Sequence, residues 1–296
     1  MNRPADDLPI TPAVVARLLA EQAPGWASLP RRRHRSTGTD NAIFRLGDRA
    51  QLRLPRRAPA IPALEKELDW LPRLRPLPLA VPTVLARGRV AADPPFSFGI
   101  LDWMAGEIAL PTRIANWPQA ARTLAGFLRG LHRIDTSGAP LAGPANSRRG
   151  VALPSLGDVT LPAIVALADE IDTARALALW DSACAEDFTQ PPVWLHGDLK
   201  ADNLIARDGA LVGVIDWGLA AVGDPAADYA AVWSWLDPSA RHEFRTALGL
   251  SDNDWRRGQG WALYGAVIAL SFYRGGRNEA LCRLSRLTLG RLGLLL

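Results

Sequence analysis

The chain has 296 residues, 48% hydrophobic and 22% charged, with a formal net charge of +4. That length and apolar fraction allow a sizeable core in one large domain or two packed lobes. Two cysteines are too few for a disulfide framework, and apolar runs such as "GAVIALSFY" fall short of the ~20 residues that span a bilayer, so neither a disulfide scaffold nor a transmembrane helix is expected. No charged n-region followed by an apolar h-region opens the chain, and a reducing cytoplasm is the expected location. The basic residues are nearly all arginine, with Lys66 and Lys200 the only lysines, which reads as a GC-rich coding bias rather than as the footprint of an anionic partner.

The first element is "TPAVVARLLAEQAP", a short amphipathic helix: Thr11 is placed to cap it, Pro12 suits its first position, and Val14, Val15, Leu18 and Leu19 recur at helical spacing. After the basic run "RRRHR", the runs "NAIFRL" and "AQLRLP" flank the turn signal "GDR", which predicts a β-hairpin. A helix over "ALEKELDWLPRL", a proline-punctuated stretch and the strand "FSFGILDWMAG" complete a small antiparallel-sheet lobe. From Ala115 the pattern is helical, with a long amphipathic segment "WPQAARTLAGFLRGLHRID" and a helical region "LPAIVALADEIDTARALALWDSACAED", interrupted by the strand pair "NLIAR" and "ALVGVIDW" across "RDG". "GAPLAGPANSRRG" reads as a loop, and no repeat stands out. The lobes are expected to span residues 1–101 and 107–296, with 102–106 as the hinge.

The chemistry concentrates in "HGDLKADN". His196-Gly197-Asp198-Leu199-Lys200-Ala201-Asp202-Asn203 matches the kinase catalytic-loop pattern H-x-D-L-x-x-x-N, with Gly in place of the usual Arg. Thirteen residues past Asn203 the strand "LVGVID" ends in Asp216, followed by Trp217 and Gly218 where protein kinases carry D-F-G. Phosphoryl transfer explains the pair of motifs: one aspartate accepts a hydroxyl proton, while the asparagine and a second aspartate hold the magnesium that bridges the nucleotide phosphates.

At these residues the chain resembles the aminoglycoside phosphotransferase family of kinase-like enzymes. "HGDLKADN" and "GVIDWGLAAVGDPAADYA" are similar to its catalytic and metal-binding segments, and "GTDNAIFRLGDRAQLRLPRR", "EKELDWLPRL" and "LDWMAGE" to its small lobe and hinge. The resemblance implies an α+β, bilobal protein-kinase-like fold, with a small antiparallel-sheet N-lobe and a larger, mainly helical C-lobe. It implies a nucleotide-dependent small-molecule phosphotransferase whose donor is ATP or GTP with Mg2+ and whose acceptor is a hydroxyl on an antibiotic, such as a macrolide or aminoglycoside, or on a metabolite. Asp198 becomes the base, and Asn203 and Asp216 the metal ligands. Lys200 stands where protein kinases often place a lysine against the transferring phosphoryl group; a compact ammonium suits that contact, whereas a forked guanidinium would tend to chelate Asp198.

The small-lobe nucleotide lysine has no lysine counterpart here. Arg53 takes its place, aimed by a carboxylate from "EKEL" in which Glu67 fits the family pattern better than Glu65. "STGTDNAIF" stands where a glycine-rich lid would lie, and it reads either as a phosphate contact through Ser36 and Thr37 or as a plain turn. Backbone groups near Asp102 and Met104 are placed to meet a purine, without deciding between adenine and guanine. His196, Asp224 and Asp228 read as structural, the aspartates fixing a loop and a helix start. The scattered histidines offer no zinc site.

Two rival readings are a non-catalytic pseudokinase module, disfavoured by the full set Asp198, Asn203 and Asp216, and nucleic-acid binding through "RRRHR" and "RLPRR", which lacks interleaved aromatics. The expected partner is a small molecule, with neither nucleic acid nor membrane involved, and the oligomeric state is open. Seven arginines from Arg256 onward face a single acid, Glu279, which predicts an acceptor that is not a polycation. Trp233, Trp235, Trp255, Trp261, Tyr264, Phe272 and Tyr273 either line a pocket for a larger, partly apolar acceptor such as a macrolide or belong to the core.

Overall fold

The computed structural model describes residues 8, 10–34, 40–185 and 188–296. The chain forms two compact units, one running to Gly106 and including Gly213–Gly218, the other comprising Glu107–Val212 and Leu219–Leu296. The return of Gly213–Gly218 to the first unit has no signal in the local sequence.

In the first unit, α1 (Pro12–Gln22) starts where Thr11 Oγ1 accepts the Val14 N–H at 3.2 Å, and a single turn, α2 (Pro24–Ala27), follows. Strands β1 (Arg31–His34), β2 (Asn41–Leu46), β3 (Ala50–Pro55), β4 (Val84–Val90) and β5 (Phe96–Asp102) make one sheet in the order β1-β2-β3-β5-β4, antiparallel at every pairing. The basic run therefore contributes an exposed edge strand, whose charges discourage further strand addition. β2 and β3 form the expected hairpin, with Gly47 at φ +53° opening the turn.

One face of the sheet packs Phe44, Leu52, Leu54, Phe98 and Ile100 against Val15, Leu18 and Leu19 of α1. On the other, α3 (Ile61–Trp70) approaches β5 so closely that a Cβ on Gly99 would lie 2.3 Å from Leu68 Cδ2. β3 is consequently buried on both faces, and Arg53 alternates with Leu52 and Leu54 without gaining solvent.

The second unit holds β6 (Glu107–Ile108) beside β8 (Leu204–Arg207), which pairs in turn with β9 (Ala210–Val214), a strand whose last two residues belong to the first unit. β7 (Val193–Leu195) pairs antiparallel with β10 (Ala221–Gly223). The helices are α4 (Trp117–Leu131), α5 (Gly157–Val165), α6 (Thr173–Cys184), the short turns α7 (Ala226–Tyr229) and α8 (Ala231–Ser234), α9 (Arg241–Leu248), α10 (Asp252–Tyr273) and α11 (Glu279–Arg291). The helical region expected from "LPAIV" to "ACAED" is two helices, because Asp172 caps a new start by accepting the Arg175 N–H. A capping box between Ser251 and Asp254 starts α10.

Trp233, Trp235 and Trp261 are all at most 2% exposed. Three of the seven aromatics named as pocket or core are therefore buried, and Trp233 packs at a tilt against Trp255 with ring centroids 4.7 Å apart. Among the described residues, no helix is long and apolar enough to cross a membrane.

Candidate active site

The catalytic loop of the second unit follows β7. Gly197 adopts φ +83°, and a Cβ there would stand 2.7 Å from the carbonyl oxygen of Leu219, so the Arg of the usual kinase pattern has no room. Asp228 fixes the same loop. Its buried carboxylate accepts the His196 N–H at 2.7 Å and the Gly197 N–H at 2.8 Å. Asp228 stands in the first turn of α7, as its position in the sequence suggested, and its structural role extends to the loop ahead of Asp198. Burial pushes the Asp228 carboxyl above its ordinary range, opposed by His196 and by the two backbone donors. His196 is buried and accepts the Asp198 N–H through Nδ1, the structural role expected of it.

Asp224, the other aspartate of that segment, accepts the Ala226 N–H and pairs with buried Arg257, Nε to Oδ2 at 2.9 Å. Arg257 also reaches Asp254 at 2.7 Å.

Asp198 receives two donors on one oxygen. Lys200 Nζ and Asn203 Nδ2 each lie 2.8 Å from Oδ2, and the Asn203 amide also donates to the Asp198 carbonyl at 2.8 Å. Oδ1 is the oxygen left to take a proton. The ammonium of Lys200 thus pairs with the Asp198 carboxylate through a single point contact. With both amide hydrogens of Asn203 directed at Asp198, its Oδ1 is the group free to face a cation, and the side chain is nearly buried.

The first unit carries the other assigned residues. Arg53 Nη1 lies 2.6 and 2.5 Å from the two carboxylate oxygens of Glu67, both side chains being buried. Burial works against the charge on Arg53, but Glu67 and Asp216 outweigh it and hold the guanidinium above its ordinary pKa. Glu67 Oε1 also accepts the Trp217 N–H at 3.2 Å, which ties the residue after Asp216 to the same ion pair. Asp216 itself sits at φ +68°, a left-handed conformation rare for a non-glycine residue and common where a side chain is held for chemistry.

Asp102 is firmly engaged within its unit: its carboxylate accepts the Thr83 N–H at 2.6 Å and the Thr83 hydroxyl at 3.0 Å, and its carbonyl accepts from Gln51. Met104 is fixed against a glycine, since its Cε occupies the place a Cβ on Gly213 would take. Ser36 and Thr37 lie outside the described residues.

Beside Asp198 the second unit has a cavity of about 120 Å³ that is partly open to solvent, lined by Arg149, Lys200, Ser234, Trp261 and Ser285 together with small and aliphatic residues of α10 and α11. Trp261 is one of the aromatics expected at an acceptor pocket, whereas Arg149 was not anticipated. Arg149 sits at the end of a loop braced by Asn146, whose amide donates to the Arg149 carbonyl at 2.7 Å, and no periodicity marks such a residue.

Several of the seven arginines from Arg256 onward are engaged by acids or carbonyls. Arg257 pairs as described, Arg274 pairs with Asp169 at 2.8 Å, Arg286 with Glu170 at 2.6 Å, and Arg291 donates to the Trp233 carbonyl. None of the seven lines this cavity, and neither do Asp169, Glu170, Asp172, Asp237 or Glu243.

A five-stranded antiparallel sheet with a buried Arg–Glu pair in one unit, and a helical unit bearing an H-x-D loop in the other, define an α+β kinase-like protein. The same fold occurs in the GDP and kanamycin complex of APH(2")-IIia, with a TM-score of 0.72 at 18% identity over 95% of this chain and 98% of that one. It occurs also in macrolide 2'-phosphotransferase type I, with a TM-score of 0.61 at 20% identity over 94% and 97% of the two chains.

Residues 32–261 match the phosphotransferase enzyme family (APH), and the chain belongs to that family. An aminoglycoside 3'-phosphotransferase of Escherichia coli is 32% identical over 142 residues, 45% of this chain; the match spans about half of that enzyme, 51%.

Proposed function

We propose that the protein transfers the γ-phosphate of a magnesium-bound nucleotide to a hydroxyl group of a small molecule, with Asp198 as the general base. The observation that carries this reading is the polarised carboxylate: Lys200 and Asn203 occupy Oδ2, which leaves Oδ1 to accept, and Asp198 borders a cavity. In the step, the acceptor hydroxyl gives its proton to Asp198 Oδ1 as its oxygen bonds the γ-phosphorus. The bond from phosphorus to the nucleoside diphosphate oxygen breaks.

Magnesium, when bound, neutralises charge on the phosphates. Asn203 and Asp216 are the residues assigned to it. The amide orientation of Asn203, with oxygen rather than nitrogen available, fits a cation ligand. Lys200 balances charge at the base and at the transferring group. Arg53, held by Glu67, is assigned to the nucleotide phosphates, and the Asp102–Met104 segment to the purine. Ser36 and Thr37 complete the nucleotide assignment. The donor is ATP or GTP, since relatives of the same fold have been solved with GDP, ADP and ATP. Antibiotics such as the kanamycin, streptomycin and gentamicin of those complexes, and macrolides, belong to the range of acceptors to be tested.

The experiment is nucleotide turnover with hydroxyl acceptors, read by nucleoside diphosphate release and by an added phosphate in mass spectrometry, for the wild type and Asp198→Asn. Turnover is expected to fall by roughly 10²–10⁴-fold in the variant. Near-normal turnover would remove Asp198 from the reaction.

A further inference from the structure

Two neighbouring arginines in the loop before α5 turn to different partners. Arg148 reaches Asp158 at 3.7 Å and donates to the Ser155 carbonyl, whereas the half-buried side chain of Arg149 turns to the cavity beside Asp198, where it lies with Gly197 and Lys200. The chain separates them by keeping Ser147 and Arg148 at φ +55° and +59°, a left-handed pair that non-glycine residues rarely adopt and that surrounding contacts must hold.

Asn146 does the holding. Its side chain, in a residue only 1% exposed, accepts the Gly143 N–H at 2.8 Å and donates to the Arg149 carbonyl at 2.7 Å and the Leu219 carbonyl at 3.3 Å. Leu219 directly follows the segment Asp216-Trp217-Gly218, and its carbonyl oxygen is the atom that a Cβ on Gly197 would meet at 2.7 Å. One buried amide thus fastens Arg149 to the backbone that also walls the turn into Asp198. The Tyr264 ring, centred 5.5 Å from the guanidinium carbon, steadies the far end of the side chain.

Among the described residues no carboxylate pairs with that guanidinium, while Arg257, Arg274 and Arg286, which lie off the cavity, are each paired with an acid. Its Nε is buried, so the Nη end is what the cavity can meet. A cation kept partly out of water costs free energy that an arriving anion offsets. The reaction brings one, because the phosphoryl group must meet the acceptor oxygen beside Asp198 with its charge spread over three equatorial oxygens. Lys200 is already committed to Asp198 Oδ2, which leaves Arg149, among the described residues lining this cavity, as the cation without a carboxylate partner.

Resting on the phosphotransfer reading, we propose that Arg149 is a catalytic residue whose guanidinium contacts two oxygens of the phosphoryl group in flight, and that Asn146 is the positioning residue that aims it. In the step, the acceptor oxygen bonds phosphorus, its proton passes to Asp198 and nucleoside diphosphate leaves; Arg149 contributes charge and gives up no atom. The planar fork matches a pair of phosphoryl oxygens, which a point charge does not.

The test uses the full-length protein with Mg2+ and ATP or GTP, and reads nucleoside diphosphate release without acceptor as well as with hydroxyl acceptors. Arg149→Gln is expected to lower kcat by roughly 10²–10³-fold in both settings, with nucleotide KM and melting temperature near wild type. Inhibition by the nucleoside diphosphate with aluminium fluoride, a mimic of the phosphoryl group in flight, is expected to weaken by a similar factor, while the diphosphate alone binds as before. Asn146→Ala is expected to lower kcat about tenfold or more, and the double variant to be no slower than Arg149→Gln alone, a non-additivity that a merely structural asparagine would not produce.

An unchanged kcat in Arg149→Gln would overturn the proposal. So would unchanged hydrolysis without acceptor alongside a raised acceptor KM, which would make Arg149 an acceptor contact. Additive losses in the double variant would release Asn146 from its role. Should Arg149→Gln fail to fold, Arg149→Lys carries the test, with kcat at least about tenfold below wild type expected and wild-type kcat overturning it. Turnover that needs Asp198 but not Arg149 removes the Arg149 contact alone. Turnover indifferent to Asp198, or none with either nucleotide, removes the phosphotransfer reading and the contact together.

Discussion

Asp228 Oδ1 accepts the N–H of Gly197 at 2.8 Å from 31 residues further along the chain, while its second oxygen takes the neighbouring N–H of His196. One buried carboxylate therefore sets the backbone path into Asp198, and the left-handed Gly197 is the residue that lets the chain follow it. Asp228→Asn keeps the size but turns one acceptor into a donor facing an N–H. Turnover is expected to fall at least about tenfold, with a stability loss on the order of 1–3 kcal/mol from the unsatisfied group. Kinetics combined with urea unfolding test this; a variant with wild-type turnover would show that the anchor is dispensable.

Arg53 and Glu67 form a buried pair, and removing one partner leaves the other charged and unpaired. Glu67→Met or Arg53→Met alone is expected to cost about 3–5 kcal/mol, and the two together less than the sum of the single losses. Equilibrium unfolding of the four proteins in the cycle measures the coupling. Additive losses would mean that the pair does not act as a unit.

Lys200 offers a contrast because its side chain is 36% exposed. An ion pair so close to solvent contributes about 0–1 kcal/mol, so Lys200→Ala is expected to leave the melting temperature within a few degrees of wild type. Catalysis is expected to respond more strongly, with kcat lowered by roughly 10-fold or more and nucleotide KM changed little, as befits a charge that matters mainly during transfer. Steady-state kinetics at saturating nucleotide provides the check, and an unchanged kcat would assign Lys200 to the surface.

His132 is half-buried at the end of α4, its buried Nε2 has no partner among the described residues, and desolvation pushes its pKa down to about 4 from an ordinary value of 6.5. The unfolded chain therefore binds a proton below pH 6.5 that the folded chain refuses until about pH 4. Stability is expected to decline through that window by up to about 3 kcal/mol, and to be independent of this group above pH 7. Denaturant midpoints from pH 4 to 8 for the wild type and His132→Leu test the sign: the variant should lose less on acidification. An identical slope in both proteins would exonerate the histidine.

The spacing of Asp198, Asn203 and Asp216, the caps at Thr11 and the hairpin around Gly47 are written in neighbouring residues, because turn chemistry and helix periodicity depend on atoms a few positions apart. The identity of the Arg53 partner was legible from the family resemblance: "EKEL" offers two carboxylates, and Glu67 fits the family pattern.

What the local sequence does not show was decided by tertiary packing. Nothing nearby says that Asp228, in the first turn of α7, also holds the loop 31 residues earlier, and the arginines from Arg256 onward look like an electropositive wall until Asp224, Asp169 and Glu170 pair with three of them. Arg149 and Trp261 share a cavity only because the loop before α5 and the middle of α10 are brought together around Asp198. A burial cost or an ion pair between segments this distant depends on where the folded chain places them, and charge counts along the sequence carry no such information.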